Sequence, residues 1–189
     1  MKQIFNNEIL DSLKKDSFID KKLFLRELIL NANKSVIKLE ELKKEKIFIN
    51  ELKEYKGRIE VYFEPSDQSI TVVDNGIGFS KDQLIELTKT SDILAVFLVS
   101  KNISIISKKI GEDTAYKCKI QNGEISVNSC VNEEYSGTVI YIKLEQEFAE
   151  SFTNIDKLKS YINEFINQIN IDLFLSYYED FEEKIEKLN

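Results

Sequence analysis

Apolar side chains recur along the chain with two different periods, and each period predicts a different kind of element. From about residue 19 to residue 42 they return every three or four positions, which is the spacing along one face of an α-helix. In "RIEVYFE" (58–64) every second residue is apolar, which is the period of a strand with one buried face. The turn "PSDQ" (65–68) leads into "SITVV" (69–73), so these two strands are predicted to pair as a hairpin.

The rest of the chain continues this succession of strands and helices. Further strands are predicted at "NISIISKK" (102–109), "TAYKCKI" (114–120), "EISVNSC" (124–130), "GTVIYIKLE" (137–145) and "IDLFLSYY" (171–178), and helices after Ser80 and over "NIDKLKSYINEFINQI" (154–169). The order predicts an α/β fold, a two-layer sandwich of a mostly antiparallel mixed sheet with helices on one face. Residues 1–178 are expected to form a single domain, and the charged tail 179–189 to begin a linker.

Composition excludes several classes of function. A net charge of −7 argues against a general nucleic-acid binder, because neutralising phosphates requires a basic surface. The longest apolar run, "ILAVFLV" (93–99), is too short to cross a bilayer, so no membrane contact is expected. The chain has no histidine, and therefore lacks the commonest general base. Cys118 and Cys130 form no CxxC pair and are expected to be reduced thiols in a cytoplasmic protein.

One segment places an acid and two glycines between a predicted strand and a predicted helix. In "ITVVDNGIGFS" (70–80), Asp74 ends the strand, and Gly76 and Gly78 are two of only six glycines in the chain. Glycine permits a sharp turn and a close approach of the backbone to another group. The segment therefore indicates a place where a small ligand meets the backbone.

The first long helix carries a second candidate group of polar residues. Glu27 and Asn31 are four residues apart and project from one helical face, and Lys34 and Lys38 extend the same stripe. By itself this row is also consistent with an ordinary solvated surface. Together with Asp74 it matches the needs of an adenine nucleotide: a carboxylate to orient water, an amide oxygen for Mg²⁺, and an acid to accept the exocyclic amine.

Four motifs in order resemble the heat-shock protein 90 family, the HtpG-type chaperones of bacteria. They are "FLRELILNAN" (24–33), "VVDNGIGFSKDQL" (72–84), "SGTVIYIKLEQE" (136–147) and "IDKLKSYINEFINQINIDLFL" (155–175). The resemblance implies the Bergerat-type ATP-binding fold of the N-terminal domain in that family. The related gyrase, histidine-kinase and MutL ATPases share the asparagine and the D-x-G-x-G element, but not the "FLRELI" motif.

The resemblance also implies a role for each matching residue. It assigns Glu27 as the general base that activates water, Asn31 as the ligand of a Mg²⁺ ion that bridges the phosphates, Lys38 as a neighbour of the ribose and phosphates, Asp74 as the acceptor for the adenine amine, and Gly76, Gly78 and Thr138 as parts of the adenine pocket. In this interpretation the glycines let the backbone approach the purine.

Three departures from the family pattern affect the phosphate end of the site. No glycine occurs from Phe79 to Ile110, the interval where the family has a mobile lid and a glycine-rich phosphate loop. Lys34 stands where the family has an aspartate, and Leu87 stands near a position that is usually polar. Since backbone N–H groups of such a loop cradle phosphates, the β- and γ-phosphates are expected to be held weakly.

The sequence therefore predicts an ATP- or ADP-binding domain of a heat-shock protein 90-like chaperone, with very slow or absent hydrolysis in isolation. Mg²⁺ would be its cofactor, and client proteins and a homodimer partner would bind through regions not in this chain. An alternative is a pseudo-ATPase module that keeps the fold for protein interaction or dimerisation without tight nucleotide binding. A histidine-kinase-like ATPase is a weaker alternative, because the chain has no phosphoacceptor histidine.

Overall fold

The predicted strands and helices assemble around one mixed sheet. The computed structural model of the protein describes residues 3–4, 22–88, 95–131, 136–149, 152, 154–179 and 181–189. The strands are β1 (Gln3–Ile4), β2 (Arg58–Glu64), β3 (Ser69–Asp74), β4 (Asn102–Lys108), β5 (Ala115–Gln121), β6 (Glu124–Cys130), β7 (Gly137–Lys143), β8 (Asp172–Glu179) and β9 (Glu182–Lys187). The helices include α1 (Leu23–Lys44), α2 (Lys81–Leu87), α3 (Gln146–Ala149) and α4 (Ile155–Asn163), and a 3-10 turn (Ile166–Gln168) follows α4.

Hydrogen bonding places the strands in the order β1-β6-β5-β4-β7-β3-β2-β8-β9. Neighbouring strands are antiparallel, except that β2 and β8 pair in parallel. A parallel pair needs a long crossover, and the chain between β2 and β8 supplies it by forming most of the sheet first. The predicted α/β class with a mostly antiparallel mixed sheet is confirmed.

One face of the sheet carries the core. A cross-strand row on this face runs through Leu175, Val61, Val72, Ile140 and Ile105, which are register partners on successive strands. Apolar side chains of α1, α2 and α4 pack against this face in a single cluster. The helical face of α1 that the apolar spacing predicted is the buried one, as expected for an amphipathic helix.

Helix α2 begins with a capping box that the sequence "SKDQ" (80–83) already carries. The Ser80 hydroxyl accepts a hydrogen bond from the Gln83 backbone N–H, and the Gln83 side chain accepts one from the Ser80 N–H. Two backbone donors at the start of the helix are satisfied in this way. Residues 89–94, which follow α2 and include most of the "TKTSD" stretch (88–92), lie outside the described residues.

The burial of Glu60 differs from the prediction. The alternation in β2 placed it on a solvated face, yet the residue is only 7% exposed. Ser176 Oγ of β8 donates a hydrogen bond to Glu60 Oε1 at 2.6 Å, and Arg58 donates to Oε2 at 2.8 Å. The Glu60 carboxylate is buried because β8 pairs with β2 along its edge. The hydrogen bonds from Ser176 and Arg58 offset the loss of hydration.

The charged tail contains a strand that the sequence analysis did not predict. Residues 182–187 form the edge strand β9, which pairs antiparallel with β8. Lys187 bridges Asp172 at 2.7 Å, and the Asn189 side chain accepts the Leu173 backbone N–H at 2.8 Å. Charged residues are typical of an edge strand because they prevent pairing with a further chain. The predicted helix over 154–169 is shorter than expected, since α4 ends at Asn163.

Gly78 fixes the chain between β3 and α2 against the sheet. Its φ is +66°, and a Cβ added there would lie 1.9 Å from the carbonyl oxygen of Lys108. The neighbouring Ile77 carbonyl accepts a hydrogen bond from the Ile110 N–H at 2.9 Å. Any L side chain at this position therefore meets both backbone strain and a backbone clash.

Gly78→Ala should lower the free energy of unfolding by at least about 2 kcal/mol, because strain and clash add. Urea unfolding followed by circular dichroism measures the change. Gly123→Ala is the matched control, since Gly123 also has positive φ but lies in the β5–β6 turn. The control should lose about 1 kcal/mol from strain. Equal losses in the two variants would show that the close approach to Lys108 contributes nothing.

Candidate functional site

Three strand ends bring polar side chains together on the core face of the sheet. Asp74 ends β3 and pairs with Thr138 of β7, which pairs in turn with Ser107 of β4. All three residues are buried, and the hydroxyl oxygens of Ser107 and Thr138 are 2.9 Å apart. The preceding row on the same strands is apolar, so the core face changes from apolar to polar at this end of the sheet.

The Asp74 carboxylate is held through one of its two oxygens. Ser35 Oγ of α1 donates a hydrogen bond to Asp74 Oδ1 at 3.0 Å, and the Gly76 backbone N–H donates to the same oxygen at 2.9 Å. Within the part of the chain that the structure describes, no group donates to Oδ2. The carboxylate is thus oriented by the protein and keeps one oxygen for a ligand.

The turn after Asp74 packs against α1. A Cβ on Gly76 would lie 2.3 Å from Ser35 Oγ, and the Ile77 N–H donates to the Ser35 carbonyl at 3.2 Å. The Ser136 hydroxyl donates to the Gly76 carbonyl at 2.8 Å. These contacts show that the glycines allow the turn to approach the helix and the strands.

A cavity of about 250 Å³ lies between α1 and the polar row. Its lining consists of Leu28, Asn31, Ala32, Lys34, Ser35, Lys38, Val72, Asp74, Ile77, Phe79, Leu87, Thr138 and Ile140. Most of these side chains are apolar. Asp74 and Thr138 are buried, whereas Lys34 and Lys38 are exposed and mark the solvent side. The arrangement suits a flat, largely apolar ligand that has one hydrogen-bond donor for the acid and an anionic group near the lysines.

The structure brings together four of the seven residues that the sequence predicted for the site. Asn31, Lys38, Asp74 and Thr138 line the cavity. Gly76 and Gly78 do not line it, because they pack the turn against α1 and β4. Glu27 lies one turn before Asn31 on α1, and its carboxylate is 3.7 Å from Arg26.

Two residues of the site were missed in the sequence. Ser35 follows Asn31 by four positions and shares its helical face, so the spacing was a signal for it. Ser107 had no such local signal. Its hydroxyl accepts the Phe79 N–H at 2.8 Å and donates to the Gly137 carbonyl at 2.9 Å, contacts that depend on the register of β4 with β7.

Burial makes the Asp74 carboxyl an unusually weak acid. Removal from water raises the pKa of its carboxyl to about 7, while the hydrogen bonds from Gly76 and Ser35 act in the opposite direction. The desolvation effect dominates because a buried carboxylate loses far more solvation than two donors restore. Near neutral pH the group is therefore poised between its neutral and ionised forms.

The described ranges contain neither a candidate membrane span nor a candidate metal cluster. None of the helices there is both long and apolar enough to span a membrane. Within the same ranges, no three His, Cys, Asp or Glu side chains lie close enough together to hold a metal ion.

Curated proteins match the chain over most of its length. It is 30% identical to the "Chaperone protein HtpG" of Aliarcobacter butzleri, over 90% of this chain and 31% of that protein. It is 29% identical to the protein of that name from a Sulfurovum species, over 86% of this chain and 30% of the relative. For Wolinella succinogenes the identity is 28%, over 90% of this chain and 32% of the relative. No protein-family model matches the chain.

The chain is a relative of the HtpG chaperones. This finding confirms the resemblance to the heat-shock protein 90 family that the four sequence motifs predicted. The chain spans about a third of the length of the curated relatives it matches, as the 31% coverage shows for the Aliarcobacter protein. The relationship to HtpG therefore concerns that third of the relatives.

The raised pKa of Asp74 predicts how stability depends on pH. A carboxyl whose pKa is higher in the folded than in the unfolded state stabilises the fold fully below the unfolded value, near 3.8, and loses this contribution as pH rises through about 7. The free energy of unfolding should therefore fall by up to a few kcal/mol between about pH 4 and pH 8. Asp74→Asn should lack this part of the pH dependence.

Urea unfolding at a series of pH values measures both proteins. The difference between them isolates Asp74, because carboxylates with a lowered pKa, such as Asp67 and Asp172, remain in both. Those groups act at lower pH and with the opposite sign. Parallel pH profiles for the parent and Asp74→Asn would contradict the raised pKa.

Proposed function

We propose that this chain binds adenine nucleotides, ATP or ADP, in the cavity beside α1. The observation that carries the proposal is the Asp74 carboxylate, with Oδ1 held by Ser35 and Gly76 and Oδ2 open to a ligand. This oxygen can accept a hydrogen bond from the exocyclic amine of adenine. The apolar walls suit a purine ring, and the Thr138 hydroxyl lies beside the acid on the neighbouring strand.

The proposal distinguishes adenine from guanine by chemistry. Adenine presents an amine where guanine presents a carbonyl oxygen, and a carboxylate repels the second group. A site built to accept a hydrogen bond rejects a ligand that lacks the donor, because its buried polar atom then stays unpaired. Asp74 therefore supports both affinity for adenine and selection against guanine.

We further propose that the nucleotide site serves a chaperone. The relatives carry the name chaperone protein HtpG, and this chain corresponds to about a third of their length. In this proposal the site lies in the cytoplasm and regulates a longer protein that binds client proteins and forms a homodimer. These activities involve regions beyond the cavity described above.

Hydrolysis of ATP is proposed to be very slow in this chain. Glu27 is the candidate general base, since its carboxylate would accept a proton from water one helical turn from Asn31. Its present partner is Arg26, and Glu27 does not line the cavity. Phosphoryl transfer depends mostly on positioning, and the chain has no glycine-rich segment between Phe79 and Ile110 to hold the γ-phosphate.

These same observations favour a second candidate function. A domain that keeps the fold without tight nucleotide binding would act as a pseudo-ATPase module for protein interaction or dimerisation. The Glu27–Arg26 pair, which lies outside the cavity, supports this alternative. Nucleotide affinity and turnover together separate the two functions.

Asp74→Asn should weaken ADP binding by about 5- to 150-fold, because a neutral amide oxygen accepts the amine less well than a carboxylate, a loss of roughly 1–3 kcal/mol. It should also reduce the preference for ADP over GDP, since an amide can donate to the guanine carbonyl. Isothermal titration calorimetry measures both affinities. Asp113→Asn is the control, because Asp113 is exposed and does not line the cavity. Unchanged ADP affinity in Asp74→Asn would show that another group recognises the base.

Glu27→Ala should abolish the residual ATP hydrolysis while leaving ADP affinity nearly unchanged. General-base assistance contributes typically ~10²–10⁴-fold, so its loss would take slow turnover below detection. Phosphate release over hours measures the rate. Glu41→Ala, an exposed substitution on the same helix, should keep the parent rate. Turnover that survives Glu27→Ala would exclude this residue as the base, and undetectable turnover in the parent would favour the pseudo-ATPase.

A further inference from the structure

A lysine contacts the amide oxygen that the family resemblance assigns to Mg²⁺. Lys34 Nζ donates a hydrogen bond to Asn31 Oδ1 at 3.4 Å, and both residues line the cavity. They are three positions apart on α1, so the helix itself keeps the ammonium beside the amide. The oxygen is thus already in contact with a cation that belongs to the chain.

The solvent side of the cavity is locally positive although the whole chain has a net charge of −7. Lys34 and Lys38 lie one turn apart, and neither forms an ion pair with a residue that the structure describes. Glu41 lies three positions after Lys38 on the same helix, but no ion pair joins these two residues. Glu27, one turn before Asn31, is paired with Arg26. The Asp74 carboxylate is buried at the polar row and held by Ser35. Two lysines that lie beside the cavity and form no ion pair among the described residues fit an anion.

A Mg²⁺ ion does not fit this arrangement. Magnesium binds through one or two carboxylates together with phosphate oxygens, and Asn31 offers only a neutral amide. Lys34 Nζ is 3.4 Å from Asn31 Oδ1, so a Mg²⁺ ion bound to this oxygen would lie close to the ammonium group. The two positive charges would repel each other.

We infer that the chain binds the diphosphate of an adenine nucleotide in its metal-free form, with the ammonium groups of Lys34 and Lys38 in place of Mg²⁺. The inference rests on the proposed nucleotide site and names its ionic requirement. Free ADP carries more negative charge than its magnesium complex, so two lysines attract the free form more strongly. Lys34 is a binding residue in this account, and its contact with Asn31 also orients the amide.

Calorimetric titration of the full chain with ADP, in excess EDTA and in millimolar MgCl₂, tests the inference. The parent should bind ADP in EDTA at least as tightly as in Mg²⁺, within about threefold. Lys34→Asp should weaken binding in EDTA by about tenfold or more and should regain affinity in Mg²⁺, because a carboxylate beside Asn31 then offers the ion a second oxygen. Lys34→Arg should keep the metal-free binding of the parent.

Two controls separate a change in the phosphate contacts from a folding defect. Adenosine has no phosphates, so its affinity should be equal in the parent and in Lys34→Asp. Lys44→Asp makes the same change of charge at an exposed position in the last turn of α1, away from the cavity lining, and should behave as the parent.

Each remaining outcome overturns a specific statement. ADP binding that requires Mg²⁺ in the parent would overturn this inference and leave the nucleotide site intact. Metal-free binding that is unchanged in Lys34→Asp would overturn the role of Lys34. Absence of binding for both ADP and adenosine, with and without Mg²⁺, would overturn the proposed function and the inference together.

Discussion

The buried carboxylate of Asp74 connects the three parts of the fold that form the cavity. It ends β3, accepts a hydrogen bond from Ser35 of α1, and accepts another from the Gly76 N–H of the following turn. Burial of an acid costs free energy, and the raised pKa shows that the two donors offset only part of that cost. The fold retains this unfavourable group in a position where one carboxylate oxygen stays available. A buried acid with a raised pKa that faces a cavity is a candidate ligand-binding group, and this is the basis of the proposed function.

Local periodicity was sufficient to predict most of the elements. The alternation in "RIEVYFE" and the three- to four-residue spacing of α1 reflect geometry within one element, and the structure has a strand and a helix there. The capping signal at Ser80 is local in the same sense. Helical spacing also places Asn31 and Lys38 on one face of α1, although this row alone was consistent with a solvated surface. Their meeting with Asp74 followed from the family motifs, because no local pattern relates a helix to a strand end forty residues later.

The predictions that the structure corrects all depended on contacts between distant segments. Glu60 is buried because β8 pairs with β2, and its partner Ser176 is 116 residues away. Residues 182–187 have the composition of a linker, yet the same charges suit an exposed edge strand that pairs with β8. Gly76 was assigned to the ligand because glycine permits close approach, but the approaching group is Ser35 of the protein. Composition and residue type show which contacts a residue can make. The pairing of distant strands and helices determines which of those contacts it does make.

The two ends of the cavity differ in their dielectric surroundings. Each end would therefore make a different kind of contact with a bound nucleotide. Asp74 and Thr138 are buried among apolar walls, where a hydrogen bond gained or lost changes the binding free energy strongly. Lys34 and Lys38 are exposed, so salt screens their attraction for phosphates over about 8 Å at physiological ionic strength. In the proposed nucleotide site, contacts at the buried end would determine which base binds. Contacts at the exposed end would add affinity that depends on salt and would discriminate little between di- and triphosphate, because neither lysine is held in a fixed geometry around a γ-phosphate.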